Sequence, residues 1–130
     1  MKIFIICSVR GASEEYRRKL ETHVAKLESQ GHKVHLPHRD TNQNANGITI
    51  CRQNMQAIKD SDYVHVFYSG KSQGAHFDLG VAFALHKPLY VIESEELPDG
   101  KSFSRMIKEW ESEDRARETA NVGTNHGLGK

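Results

Sequence analysis

A chain of 130 residues and 14.7 kDa has room for one domain around one core and none for a separate substrate domain. Its 18 Lys and Arg against 17 Asp and Glu leave a formal charge of +1, which argues against a broad basic face for nucleic acid and against an acidic disordered tail as the working part. The longest apolar run, Ile3 to Cys7, is far too short for a membrane span, no signal-peptide pattern opens the chain, and its two cysteines form no CxxC motif, so a cytoplasmic protein with reduced, packed thiols is expected.

Ile3 to Cys7 is a short continuous apolar run, the pattern of a strand covered on both faces. Tyr16, Leu20, Val24 and Leu27 then recur at helical spacing within Glu14 to Gln30, with charge on the other faces and Gly31 placed to close the helix. Val34 to Leu36 reads as a brief second strand stopped by Pro37, and the Asn-rich segment from His38 to Gly47 as a loop over a site. Cys51, Met55 and Ile58 predict a second helix over Ile48 to Asp60, and Tyr63 to Tyr68 a third strand rich in aromatic and β-branched residues. After a turn from Ser69 to Gly74, a third helix is expected over His76 to His86, with Phe77, Val81, Ala84 and Leu85 on its stripe. Leu89 to Ile92 follows as a fourth strand, then a last helix from Ser102 to about Arg117. This alternation predicts an α/β, Rossmann-like three-layer domain over residues 1–120, with a mainly parallel sheet of four to five strands and a frayed Gly-rich tail at 121–130.

In such a sheet, ligands bind beyond the carboxyl ends of the strands. Three segments should meet there: Ser8 to Ser13, His38 to Gly47 and Ser69 to Asp78. In the first, Ser8, Arg10 and Gly11 combine a hydroxyl, a guanidinium and a flexible backbone near a helix start, a set that suits a phosphate. The plainer reading makes Ser13 a helix cap and leaves Arg10 in solvent. In the third, Gly74 allows a sharp turn and Asp78 is expected in the first turn of the helix, where the dipole would favour its ionised form as a nucleophile or cation stabiliser. Gly80 within the helix costs about 1 kcal/mol relative to Ala and suggests close packing.

The segments IFIICSVRGASEEYRRKLETHVAKLESQGH, RQNMQAIKDSDYVHVF, GAHFDLGVAFALHKPLYVI and SFSRMI, in that order, resemble the nucleoside 2-deoxyribosyltransferase superfamily, and most of all its 2′-deoxynucleoside 5′-phosphate N-hydrolase branch. The resemblance runs from about Lys2 to Lys108. It implies that Ser8, Arg10 and Gly11 hold the 5′-phosphate and that Ser104 reaches it from the neighbouring subunit of a homodimer with a shared site. It also implies that Asp78 stands where the family nucleophile attacks C1′ of deoxyribose. The glycosyl-enzyme so formed is resolved by water in hydrolases and by a second base in transferases. Three positions depart from the family pattern: Asp78 replaces a glutamate, Asn54 an aspartate that positions the sugar or protonates the base, and Phe4 a tyrosine.

The resulting expectation is an N-glycosidase-type enzyme cleaving or transferring the base of a 2′-deoxynucleoside 5′-monophosphate. Asp78 and Asn54 would be its catalytic residues, with Ser8, Arg10, Gly11, Phe4, Tyr68, Ser69, Gly74, His76 and Ser104 around the substrate. A non-catalytic nucleotide-binding or sensing protein on the same fold is the alternative, and a small interaction domain the blandest one. No cofactor and no metal are expected, because His32, His35 and His38 at every third position around a strand and Pro37 do not face one way. His65, in mid-strand, is expected to be hydrogen-bonded in the core or at an interface. The partner is a small nucleotide or nucleoside, with neither nucleic acid nor membrane involved.

Overall fold

The computed structural model describes residues 1–8, 12–94 and 103–120, with the backbone alone at 103, 104 and 120. Four strands, β1 (Lys2–Ile6), β2 (Lys33–His35), β3 (Tyr63–Tyr68) and β4 (Leu89–Ser94), form an all-parallel sheet in the order β2-β1-β3-β4. The helices are α1 (Glu14–Ser29), α2 (Pro37–Asp40), α3 (Gly47–Asp60), α4 (Gln73–Ala84) and α5 (Phe103–Ala120). None of the described helices is long and apolar enough to cross a membrane.

Period-two alternation along the strands makes two cores. Phe4, Ile6, Val64, Val66 and Leu89 pack with Ile58 of α3, Leu79 and Ala82 of α4, and Ile107 and Trp110 of α5. Ile3, Ile5, Val34, Tyr63 and Phe67 pack with Leu20, Val24 and Leu27 of α1, the stripe predicted from their spacing. Helix starts are capped where the sequence offers a short polar side chain: Ser13, Asn46 and Ser72 accept from the backbone N–H of Tyr16, Thr49 and Ala75, each at 3.1 Å. Gly31, at φ +93°, ends α1 as expected of a residue without Cβ strain.

Several expectations need correction. Pro37 does not merely stop β2; it opens the short helix α2 inside the segment read as a loop. Helix α4 starts three residues early, at Gln73, because Ser72 caps it, so Gly74 is a helical residue rather than a turn and Asp78 lies beyond the first turn. Its buried face is Ala75, Asp78, Leu79 and Ala82, whereas Phe77, Ala84 and Leu85 are exposed. A helix apolar nearly all round carries no periodic signal to say which side turns inward. Likewise Met55 of α3 is exposed and Asn54 is buried in its place. Gly80 is exposed, with nothing within 4 Å of where a Cβ would stand, so close packing is not its role.

No fifth strand borders β4 among the described residues. Its outward backbone N–H groups are taken instead by carboxylates of α5: Leu89 donates to Asp114 at 2.8 Å and Val91 to Glu111 at 2.7 Å. Tyr90 adds a hydrogen bond to Glu118 at 3.0 Å and lies under the Arg115 guanidinium at 3.6 Å. Carboxylates of α5 thus close a sheet edge that would otherwise be open to pairing with another chain.

Candidate active site

Strand order reverses at β1: the chain passes to β2 on one side and to β3 on the other, so the carboxyl ends of β1 and β3 flank a switch point. A cavity of about 490 Å³ opens there, a size suited to a nucleotide-sized ligand. The end of β1 supplies Cys7 and Ser8, α3 supplies Ile50 and Asn54, and the start of α4 supplies Ser72 to Gly74 and Asp78.

Asp78 is buried, at 5 % exposure, and this burial pushes its pKa up to about 7 against the lowering effect of a hydrogen bond from Asn54. The helix dipole is not what sets its charge, in contrast to the expectation from sequence, because the residue sits a full turn inside α4. Asn54, also buried, donates Nδ2–H to Asp78 Oδ2 at 3.4 Å and accepts at Oδ1 from the Thr41 hydroxyl at 2.7 Å. Thr41 Oγ1 is in turn 2.8 Å from His35 Nε2. The carboxylate thus ends a row of polar side chains, buried at Asn54 and Thr41 and half-buried at His35, that reaches back to β2.

The start of the first loop is held by Tyr16. Ser8 donates its N–H to the Tyr16 oxygen at 2.9 Å, and the Tyr16 hydroxyl donates to the Phe67 carbonyl at 3.4 Å. Arg10 and Gly11 lie outside the described residues, and of Ser104 only the backbone, in the first turn of α5, is described. Cys7 lines the cavity, but burial and the neighbouring Asp78 charge raise its thiol to about 12, so it is not a thiolate nucleophile at neutral pH.

The structure brings Ser8, Asn54, Gly74 and Asp78 to one cavity, whereas Phe4, Tyr68, Ser69 and His76 are not among the residues that line it. Phe4 is fully buried and stacks on His35, with centroids 5.2 Å apart and an interplanar angle of 8°. Tyr68 is buried and its hydroxyl meets His76 Nε2 at 2.9 Å, while His76 Nδ1 meets the Ser72 carbonyl at 2.7 Å. His76 borders a separate apolar hollow with Leu79, Phe83 and Met106. Ser69 accepts from the Lys71 N–H at 3.3 Å. Neither the cavity-lining Gln43, Ile50 and Lys71 nor Thr41 behind them was singled out from sequence; Thr41 is a buried polar residue in an aperiodic segment, which leaves no local signal. Among the described residues no group of three or more His, Cys, Asp or Glu could hold a metal ion, and His65 pairs with His23 at 3.0 Å.

A family model described as nucleoside 2-deoxyribosyltransferase matches residues 6–119. Comparison with curated protein sequences gives no match. Among solved structures, the chain is similar to the CMP N-glycosidase BcmB of Clostridium botulinum, at 20% identity and a TM-score of 0.56, covering 86% of this chain and 81% of that one. It is similar also to the 2-deoxyribosyltransferase of Bacillus psychrosaccharolyticus, at 18% identity and a TM-score of 0.64, with 88% and 90% covered. A third similar structure is the 2-deoxyribosyltransferase of Leishmania mexicana, at 21% identity and a TM-score of 0.55, with 75% and 67% covered. At these identities the likeness is one of fold.

Proposed function

The chain belongs to the nucleoside 2-deoxyribosyltransferase family, and on that premise we propose that it cleaves or transfers the base of a 2′-deoxynucleoside 5′-monophosphate with Asp78 as nucleophile. One observation carries this reading: a buried carboxyl, supported by a neutral donor, faces the same cavity as Cys7 and Ser8 just after β1. In the proposed reaction Asp78 Oδ1 bonds to C1′ as the C1′–N bond breaks. The bonding pair leaves with the base, whose nitrogen takes up a proton from solvent. Positive charge develops on the sugar ring only in the transition state, so an ionised carboxylate placed beside it stabilises that state more than the ground state. Water or a second base then displaces Asp78 from C1′.

Ser8, Arg10 and Gly11 would hold the phosphate, with Ser104 arriving from the partner subunit of a homodimer. The exposed Phe77 and Phe83 of α4 and Leu85 at its C-cap are apolar surface that a second copy would cover. A non-catalytic nucleotide-binding role is the second reading. It is favoured by Phe4, which offers no hydroxyl and has no exposed surface, and by an Asp78 carboxyl half-protonated near neutral pH.

The test combines thermal shifts with nucleosides and nucleoside monophosphates and chromatography for free base. Asp78→Ala should abolish base release and leave phosphate-dependent stabilisation nearly intact. Release that survives this substitution overturns the role of Asp78, and binding without release by the native protein favours the second reading.

A further inference from the structure

An asparagine beside a carboxylate helps or harms according to which end of its amide faces it: the NH2 donates, whereas the carbonyl oxygen repels. The two ends have nearly the same shape, so packing alone does not choose between them. Here hydrogen bonding does. An ionised carboxylate only accepts, so Asn54 turns Nδ2–H to Asp78 and Oδ1 to Thr41, whose single hydroxyl hydrogen is then donated to Oδ1 at 2.7 Å. With that hydrogen used, the 2.8 Å contact between Thr41 Oγ1 and His35 Nε2 requires His35 to be the donor. With Asp78 ionised, His35 is therefore the Nε2–H tautomer. Its burial lowers its pKa and keeps it neutral, and the parallel Phe4 ring fixes its plane.

We propose that Thr41 and His35 are positioning residues for Asp78, locking the Asn54 amide so that Nδ2–H faces the carboxylate. The bonds along the row all point the same way, from His35 through Thr41 and Asn54 to Asp78. Its last link, at 3.4 Å, is the longest, so it depends most on the two shorter ones holding the amide still. Because an amide does not pass on a proton as a hydroxyl does, the row orients rather than conducts. It also distinguishes the two carboxylate oxygens: Oδ2 is held by Asn54, while among the described residues no donor reaches Oδ1. Resting on the reading of Asp78 as nucleophile, this assigns Oδ1 as the attacking atom. It further gives Phe4 a role, through its ring, at a position where the hydroxyl-bearing side chain is gone.

The experiment is carried out on the full chain with Thr41→Val, which keeps the shape and removes the hydroxyl, and Thr41→Ser, which retains it. Carbon-13 carboxyl resonances report the Asp78 titration and nitrogen-15 resonances the His35 tautomer. In Thr41→Val the Asp78 midpoint should rise by about half a pH unit or more, because the freed amide no longer presents its donor. The Nε2–H signature of His35 should be lost, and kcat for base release should fall about tenfold with KM changed less than about twofold. Thr41→Ser should restore all three. If Thr41→Val does not fold, His35→Phe, which keeps the stack on Phe4 and removes the donor, should show the same upward shift at smaller size. An unchanged Asp78 midpoint in the folded variant overturns the proposal. Absence of base release by the native protein would instead overturn the enzymatic reading, and the two resonance measurements would still decide this one.

Discussion

Replacing Asp78 by asparagine should make the protein more stable above pH 7 and nearly unchanged in stability at pH 4. A carboxyl whose pKa rises from 3.8 to about 7 on folding binds its proton more tightly in the native state than in the unfolded one. Its contribution is therefore greatest below pH 3.8 and is lost as pH rises through about 7. At 1.36 kcal/mol for each tenfold change, ionising Asp78 inside the fold costs about 4 kcal/mol by pH 8. Asparagine carries no such cost, and its oxygen still accepts from Asn54. Above pH 8 the gain should thus approach about 4 kcal/mol, a rise in Tm on the order of 10 °C for a domain of this size. At pH 4 it should fall below about 1 kcal/mol. The assay is urea unfolding of both proteins from pH 4 to 8.5. Taking the difference between them removes titrations that the two share, including those of the histidines. A difference that stays constant with pH, or a variant less stable at pH 8, would refute the argument that burial rather than the helix dipole sets the charge of this residue. The expected trade is the one common to active sites, in which a group poised for chemistry destabilises the fold that holds it.

Base release should follow the same ionisation: kcat/KM should rise with pH through a midpoint near 7, and a flat profile from pH 5.5 to 8 would contradict Asp78 as an ionised nucleophile. On the acid side, burial and the neighbouring His23 hold His65 down to about 4, so its neutral form stabilises the fold above pH 6.5 and that contribution, up to about 3 kcal/mol, is lost as pH falls towards 4. His65→Gln should accordingly flatten the acid limb of a stability profile; an unchanged limb would show that another group sets it. Asp114→Ala leaves the buried Leu89 N–H without its acceptor and should cost about 1–3 kcal/mol in urea unfolding, with Asp114→Asn losing less because it keeps an oxygen there. Equal losses in the two variants would mean that the charge, not the hydrogen bond, closes the edge.

Strand and helix order, the caps at Ser13 and Gly31, and the buried stripe of α1 were legible because each depends on residues within a few positions of one another. The resemblance to a family likewise pointed to Ser8, Asn54 and Asp78 as neighbours, and the cavity joins them. Helix α4 shows where local reading stops. Its apolar residues surround it, so only packing against β1 and α3 decides that Asp78 faces inward while Phe77 and Leu85 face out. The cap at Ser72 also starts this helix earlier than its apolar stripe implies, which leaves Asp78 outside the dipole that a start at His76 would have given it.

What the sequence by itself determined, then, was a parallel α/β arrangement, because periodicity and turn chemistry act along the chain. Tertiary structure alone decided the charge of Asp78, the orientation of Asn54 and the closure of β4 by α5. Each of these arises from desolvation or from a hydrogen bond between residues distant in sequence: Asn54 to Asp78, Thr41 to Asn54, Leu89 to Asp114. Removal from water and the direction of a donor exist only once the partners have met, and no spacing along the chain encodes them.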